Sequence, residues 1–253
     1  MGSNLIERLR KYDTPTISNA VELFDVRPRS SGYMDGRIRC AFPELPAVVG
    51  FAVTARFRAR DAARADQTNG SLDMLCEAIQ QRGEPTIVVC EDMDDPPIAA
   101  TFGDVMCGAY KALGAAALIS SGAGRDLANV RALRFPVFLS ATICSHAYCH
   151  VVDVGQAVRV GGLEVQRDHL LHADASGVTS IPHEIAAELS DVADEFLRCE
   201  ALVTDYAVAP GPKSAAELME RRHAMSDAIA TLRGRITRRP ATTRSSAGQG
   251  VLD

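Results

Sequence analysis

Apolar residues recur first at helical spacing. Leu5, Ile6 and Leu9 share one face of a short amphipathic helix over Asn4 to Lys11, and Ile17, Ala20, Val21 and Phe24 mark a second that starts at Thr14-Pro15. Threonine at that start caps free amides, and proline suits the first helical position. From Val26 to Pro46 no period is sustained and prolines and glycines interrupt the chain, which predicts a surface loop or an embellishment. The stretch VVGFAVTARF from Val48 is rich in β-branched and aromatic residues and predicts a strand. Ser71 to Gln81 returns to helical spacing, with Ser71 as cap and Gly83 beyond its end. Thr86 to Cys90 and Ala115 to Ser120 are continuous apolar runs of buried-strand length, Asp104 to Leu113 between them is helical, and Pro136 to Leu139 adds a further short strand. Strands and helices alternate, so this half reads as an α/β layer of βαβ units.

After Val151 the spacing shortens. AVRV, Gly161-Gly162, LEV, HLLHA and GVTSI predict an antiparallel or barrel-like block. Helix returns after Pro182, and a second helix, Ser214 to Arg235, follows the Pro210-Gly211-Pro212 break. These segments read as one domain over residues 1–236, with C-terminal helices over 183–236 and a polar, disordered tail over 237–253.

Composition narrows the function classes. Of 253 residues, 47% are hydrophobic, ample for a core, and a formal net charge of −5 argues against a nucleic-acid surface. The chain has no apolar run of membrane-span length and no apolar signal at its start, so a cytoplasmic protein is expected. Seven cysteines without a C-x-x-C pair read as reduced thiols, and Cys76, Cys90 and Cys107 sit in apolar patterns that pack.

The candidate chemistry centres on GDVMCGAYKALGAAALISSGAGRD, residues Gly103 to Asp126. Its glycines match neither the dinucleotide fingerprint nor the P-loop. They leave a helix start at Gly103-Asp104, a buried strand, and a Gly122-Ala123-Gly124 turn that delivers Arg125 and Asp126 past the strand's C-terminal end, the edge where ligands collect in α/β sheets. Alone, such a dipeptide reads as a surface pair or as a capping aspartate before LANV. In this setting arginine can also grip a carboxylate bidentately, and aspartate can ligate a hard divalent ion.

Other clusters have plainer readings. CSHAYCH, with Cys144, His146, Cys149 and His150, carries soft metal ligands at a spacing unlike a zinc site, and reads as a loop whose histidines face solvent or a neighbouring subunit. His169 and His172 bracket an apolar strand as one exposed and one half-buried histidine. His183 and Glu184 open a helix, Asp168 and Asp174 serve turns, and Glu91, Asp92, Asp94 and Asp95 form a solvated loop. Arg233, Arg235, Arg238, Arg239 and Arg244 are the basic cluster and read as solubilising.

Taken in order, DTPTISNAVELF, FGDVMCGAYKALGAAALISSGAGRD, FPVF and VGGLEVQRDHLLHADASGVTSIPHEIAAEL resemble the RraA-like family over roughly residues 13–190. That family includes 4-hydroxy-4-methyl-2-oxoglutarate/4-carboxy-4-hydroxy-2-oxoadipate aldolases and regulators of ribonuclease E activity. The resemblance implies an α/β fold with a β/β/α core like the swivelling phosphohistidine domain and flanking N- and C-terminal helices. It implies homotrimers or hexamers with active sites at subunit boundaries. It also implies that the backbone around Gly103, Asp104, Val105 and Met106 receives a 2-oxo acid, that Arg125 binds its carboxylate or keto oxygen, and that Asp126 holds Mg²⁺ or Mn²⁺. The implied reaction is a class II retro-aldol cleavage to pyruvate, with oxaloacetate decarboxylation as a side activity and a metal-organised water as base. The alternative is a non-catalytic regulator that binds a ribonuclease or another protein. Departures from the family pattern are Asn129 where an acid is common, QRD in place of Pro-Gly-Asp, and Gly124 in place of valine. CSHAYCH and the Ser214–Arg235 helix lie outside the resemblance.

Overall fold

A computed structural model describes residues 3–64, 69–82 and 85–238. Gly83 and residues 239–253 of the expected tail lie outside them. Two helices, α1 (Ser3–Leu9) and α2 (Thr14–Glu22), lead to strands β1 (Arg39–Cys40) and β2 (Val48–Arg58). There follow α3 (Leu72–Arg82), β3 (Thr86–Asp92), β4 (Ala100–Phe102), α4 (Asp104–Ala112), β5 (Ala115–Ser120), β6 (Ala123–Gly124), α5 (Leu127–Ala132), β7 (Val137–Leu139) and β8 (Ala141–Thr142). Strands β9 (His150–Val154), β10 (Val158–Val160), β11 (Leu163–Val165), β12 (Leu170–Asp174) and β13 (Gly177–Ile181) precede α6 (Ala186–Val208) and α7 (Ala215–Arg238).

Strands β7, β5, β3 and β2 run parallel in that order, with β1 antiparallel on one edge and the β12-β13 hairpin on the other. The length of β2 lets its outer edge pair twice, over Val48–Phe51 with β12 and over Ala55–Arg58 with β9. A second, small parallel sheet contains β4, β6 and β8, and β10-β11 is a separate hairpin.

The apolar runs of β3 and β5 are continuous because both faces are covered. Val88, Cys90 and Leu118 face the cluster of Leu75, Ile79, Phe102, Cys107 and Tyr110, whereas Ile87, Val89, Ala117 and Ile119 face Val158, Val160 and Leu171. Burying this apolar surface is the main stabilising term of such a layer. A third cluster joins α1, α2, α6 and α7 to β2 and β12 through Ile6, Leu9, Ile17, Leu189, Phe196 and Phe51. Arg233 and Arg235 belong to α7, not to a solubilising tail: Arg233 donates to the Glu22 carbonyl at 3.4 Å, and Arg235 pairs with Glu195.

Several local expectations are corrected. The 26–46 segment is largely loop, as expected, but it is not all surface: Met34, Ile38 and Phe42 are buried and β1 pairs with β7. Its apolar residues plug the layers singly, so they leave no period to read. Asp13, not Thr14, caps α2, accepting from the Thr16 amide at 2.8 Å. His172 is fully buried rather than half-exposed. Its Nε2 donates to the Leu9 carbonyl at 3.2 Å and its Nδ1 accepts from the Thr14 hydroxyl at 2.9 Å, so the ring joins α1 and α2 to β12, and burial lowers its pKa. His183 and Glu184 lie in a turn ahead of α6; the His183 ring is stacked on Phe51 and reaches the Asp168 carbonyl at 2.9 Å. Asp174 does serve its turn, through the Ser176 amide, and also accepts from the Thr14 amide at 2.7 Å.

Candidate active site

The small sheet positions the site. After β3 and β5 the chain re-enters as β4 and β6, and α4 and α5 spring from their ends. Ala123-Gly124 is therefore strand β6 and not part of a turn. The Arg125 amide donates to the Phe102 carbonyl at 3.1 Å, which brings the two strand ends side by side.

Here the two halves of the motif meet. Gly103 starts α4 in an extended conformation, and a Cβ on it would lie 2.6 Å from Asp126 Oδ2 and 3.3 Å from Arg125 Nε. Only glycine leaves this room. Asp126 occupies the capping position of α5 in left-handed backbone, φ 55°, yet its carboxylate makes no capping hydrogen bond. The carboxylate instead faces Arg125, with Nε at 3.3 Å, and both side chains are about two-fifths exposed at 37% and 39%. Side-chain capping is thereby set aside, and the two side chains form the partly exposed pair that was the other plain reading of the dipeptide.

Asp104 is differently engaged. Its Oδ1 accepts from the Val105 amide at 2.8 Å and its Oδ2 from Asn129 Nδ2 at 2.7 Å. Asn129 thus ties α5 to the start of α4, and a carboxylate in its place would face Asp104 with like charge.

Beside this contact opens a cup of about 500 Å³. Gly103, Met106 and Arg125 line it, whereas Asp104, Val105 and Asp126 border it without lining it. Phe57, Phe102 and Val151 supply apolar wall, and no acidic side chain is among the described lining residues. The other wall comes from the CSHAYCH segment: residues 144–148 are an exposed loop, as expected, and His146, Cys149 and His150 line the cup. No group of three or more histidine, cysteine or acidic side chains able to hold a metal ion occurs among the described residues, so this segment forms no such cluster. Burial pushes the Cys149 thiol up to about 12, which keeps it protonated.

At and just past the end of β3 lie two acids whose burial the sequence concealed. Asp92 and Asp94 are 8% and 6% exposed, not solvated. Asp94 accepts from the Ala59 and Arg60 amides at 2.7 and 3.0 Å, whereas Asp92 Oδ2 is buried without a hydrogen-bond partner. Burial pushes the Asp92 carboxyl up to about 6; the hydrogen bond from the Asp94 amide opposes it, and the weaker repulsion of the Asp94 and Asp95 charges adds to the rise. The available signal was Gly122, where a Cβ would fall 2.8 Å from Asp92 Oδ2. Gly124 has a similar reason: the Phe102 ring occupies the space of its absent Cβ at 2.4 Å, so valine does not fit opposite this phenylalanine.

Comparison with known proteins agrees with this architecture. Over 99 residues, 39% of this chain and 47% of the relative, the sequence is 32% identical to a Halalkalibacterium halodurans protein named "Putative 4-hydroxy-4-methyl-2-oxoglutarate aldolase". The match spans about half the length of that relative. An uncharacterized protein from Pseudomonas syringae pv. tomato superposes with a TM-score of 0.68 at 18% identity, over 88% of this chain and 94% of the other. RraAS2 of Streptomyces coelicolor, described as an unusual member of the RNase ES inhibitor RraA protein family, superposes with a TM-score of 0.64 at 22% identity, over 79% and 95%. At such identities the likeness is one of fold. The RraA-like pattern, Aldolase/RraA, matches residues 14–179, and the chain belongs to that family.

Proposed function

We propose that the protein is a lyase that cleaves a 4-hydroxy-2-oxo acid to pyruvate by retro-aldol chemistry. The observation that carries this reading is the open Arg125–Asp126 pair seated on Gly103, at the start of α4 and beside a cup without acids. Arg125 would bind the substrate's carboxylate, and the positive end of α4 favours negative charge at the same place. As the C3–C4 bond breaks, the electron pair moves onto the pyruvyl fragment, where the fixed guanidinium stabilises the enolate. The apolar wall of Phe57, Phe102 and Val151 keeps water from that charge. A Schiff base is not needed, and Lys111 is engaged elsewhere, on the Leu133 carbonyl.

The residues fit a hard divalent ion of the Mg²⁺ or Mn²⁺ kind. Such ions take one or two carboxylates and complete their shell with water and substrate oxygens. Asp126 is the carboxylate at hand: it makes no capping hydrogen bond and pairs only with Arg125 among the ion pairs described, whereas Asp104 is committed to Val105 and Asn129. When bound, the ion would polarise the keto group as a Lewis acid. Oxaloacetate decarboxylation passes through the same enolate and follows as a side activity. Val105, 81% exposed beside the cup, is the side chain that a neighbouring subunit of a homotrimer or hexamer would cover.

Purified protein with Mg²⁺ is expected to release pyruvate from 4-hydroxy-4-methyl-2-oxoglutarate, measured by a coupled lactate dehydrogenase assay. Arg125→Ala and Asp126→Ala are each expected to lower kcat/KM by about 100-fold or more, the scale for one positioned charge-stabilising group. Pyruvate release from neither this acid nor oxaloacetate, or unchanged activity in both variants, would refute the assignment and favour a protein-binding regulator.

A further inference from the structure

Retro-aldol cleavage needs a group to take the proton from the C4 hydroxyl. Few side chains of the cup can do so near neutral pH. No carboxylate is among the described lining residues, Arg125 is a permanent cation, and the Cys149 thiol is pushed up to about 12. The Ser71 hydroxyl already accepts from the Met74 amide at 3.2 Å and is a weak base in any case. The buried Thr101 hydroxyl donates to the Ala123 carbonyl, so among the described side chains His146 and His150 are left to act in place of the metal-organised water that the sequence resemblance implies.

Their backbone contacts assign the tautomer. His146 Nδ1 lies 2.9 Å from the Ala147 carbonyl oxygen, and His150 Nδ1 lies 2.8 Å from that of Tyr148. A carbonyl oxygen only accepts, so each Nδ1 carries the proton and each Nε2 presents a lone pair. Such a ring is built to receive a hydroxyl proton and not to bind a carboxylate. Of the two, His146 is the better held against the substrate side. The Ser145 carbonyl accepts from the Ala100 amide at 2.7 Å, fastening the loop to β4, the strand that runs into Gly103. Ala147 adopts φ 41°, an uncommon conformation for alanine, and its amide donates to Ser145 Oγ at 3.1 Å. This turn holds the carbonyl on the His146 ring. His150 stands at the β2 edge, opposite Arg58 in the strand register.

We propose that His146 is the general base of the cleavage, a role that rests on the aldolase reading above. Nε2 takes the C4 hydroxyl proton and the O–H electrons form the C4 carbonyl. The C3–C4 bond breaks, with its pair going to the enolate held by Arg125. The imidazolium then returns the proton to C3, which yields the methyl group of pyruvate. The histidine is regenerated and no co-reactant is consumed.

The test compares two reactions that share the enolate but differ in the base. Oxaloacetate loses carbon dioxide without a hydroxyl proton to remove, so the ratio of 4-hydroxy-4-methyl-2-oxoglutarate cleavage to oxaloacetate decarboxylation isolates the step. His146→Asn is expected to lower that ratio by about 100-fold or more, within the usual range for general-base catalysis. An unchanged ratio, or a fall in His150→Asn with none in His146→Asn, overturns the proposal while leaving the aldolase reading intact. Failure of the unsubstituted protein to act on either substrate overturns the aldolase reading, and the proposed base with it. Should His146→Asn fail to fold, ¹⁵N shifts of the unsubstituted protein decide: protonated Nδ1 with bare Nε2 at His146 is expected, and the opposite tautomer overturns the assignment.

Discussion

Gly103→Ala separates the geometry of the site from the stability of the fold. The added methyl would stand 2.6 Å from Asp126 Oδ2 and 3.2 Å from Arg125 Cγ. Relaxed contacts lie near 3.5–4.0 Å, so the carboxylate must retreat by about 1 Å. Backbone strain contributes nothing, because φ −150° and ψ −164° suit alanine as well as glycine. The stability cost is that of a poorer helix start, about 1 kcal/mol at most, or a fall in Tm of about 2–4 °C for a chain of this length. A displacement of about 1 Å at the reacting centre, in contrast, costs about 100-fold in rate. The paired measurement is Tm by calorimetry beside kcat/KM for pyruvate release and pyruvate affinity by titration calorimetry. Because both changes act through the Asp126 carboxylate, adding Asp126→Ala to Gly103→Ala is expected to cost far less than the sum of the two. Unchanged affinity and activity in Gly103→Ala, or a collapse of Tm with the loss of activity, would refute the claim that this glycine exists to seat the pair.

Two further outcomes concern buried groups. Asp92 holds its proton to about pH 6 in the folded protein but ionises near pH 4 when unfolded, so its contribution to stability declines as pH rises from about 4 to 6 and stays low above. Asp92→Asn keeps an oxygen for the Asp94 amide and is expected to stabilise the protein at pH 7 by about 1–3 kcal/mol; a lower Tm than the unsubstituted protein at that pH would count against the burial cost. His172 has the opposite sign of pH dependence. Its pKa is lowered by burial, so below about pH 6.5 the unfolded chain takes up a proton that the folded one refuses, and stability is lost as the pH is lowered. His172→Gln is expected to cost about 1–3 kcal/mol at pH 7 and to flatten the fall in Tm between pH 7 and 5; an unaltered slope would disprove the assignment.

Much of the scaffold is legible locally. Helical spacing marks α1, α2, α3 and α4, and the apolar runs Thr86–Cys90 and Ala115–Ser120 announce strands covered on both faces. The Arg125-Asp126 dipeptide also stands out, because glycines punctuate a buried strand just ahead of it. Such signals lie within one element, where a residue's neighbours along the chain are also its neighbours in space.

Contacts between elements leave no such trace. Strands as short as β6 and β8 carry no period, so the small sheet that places Arg125 beside Gly103 emerges only from pairing with β4. The acids at 92 and 94 look solvated by composition but are buried, Asp92 against the Gly122 backbone and Asp94 on the Ala59 and Arg60 amides. CSHAYCH resembles a stray loop until the bonds of Ser145 to Ala100 and Tyr148 to Ala59 lay it along the cup. The sequence by itself therefore determined the alternating layers and named the arginine and aspartate. The tertiary structure alone decided that they meet at Gly103 and that His146 lines the same cup as Arg125, because register and close approach join residues far apart in the chain.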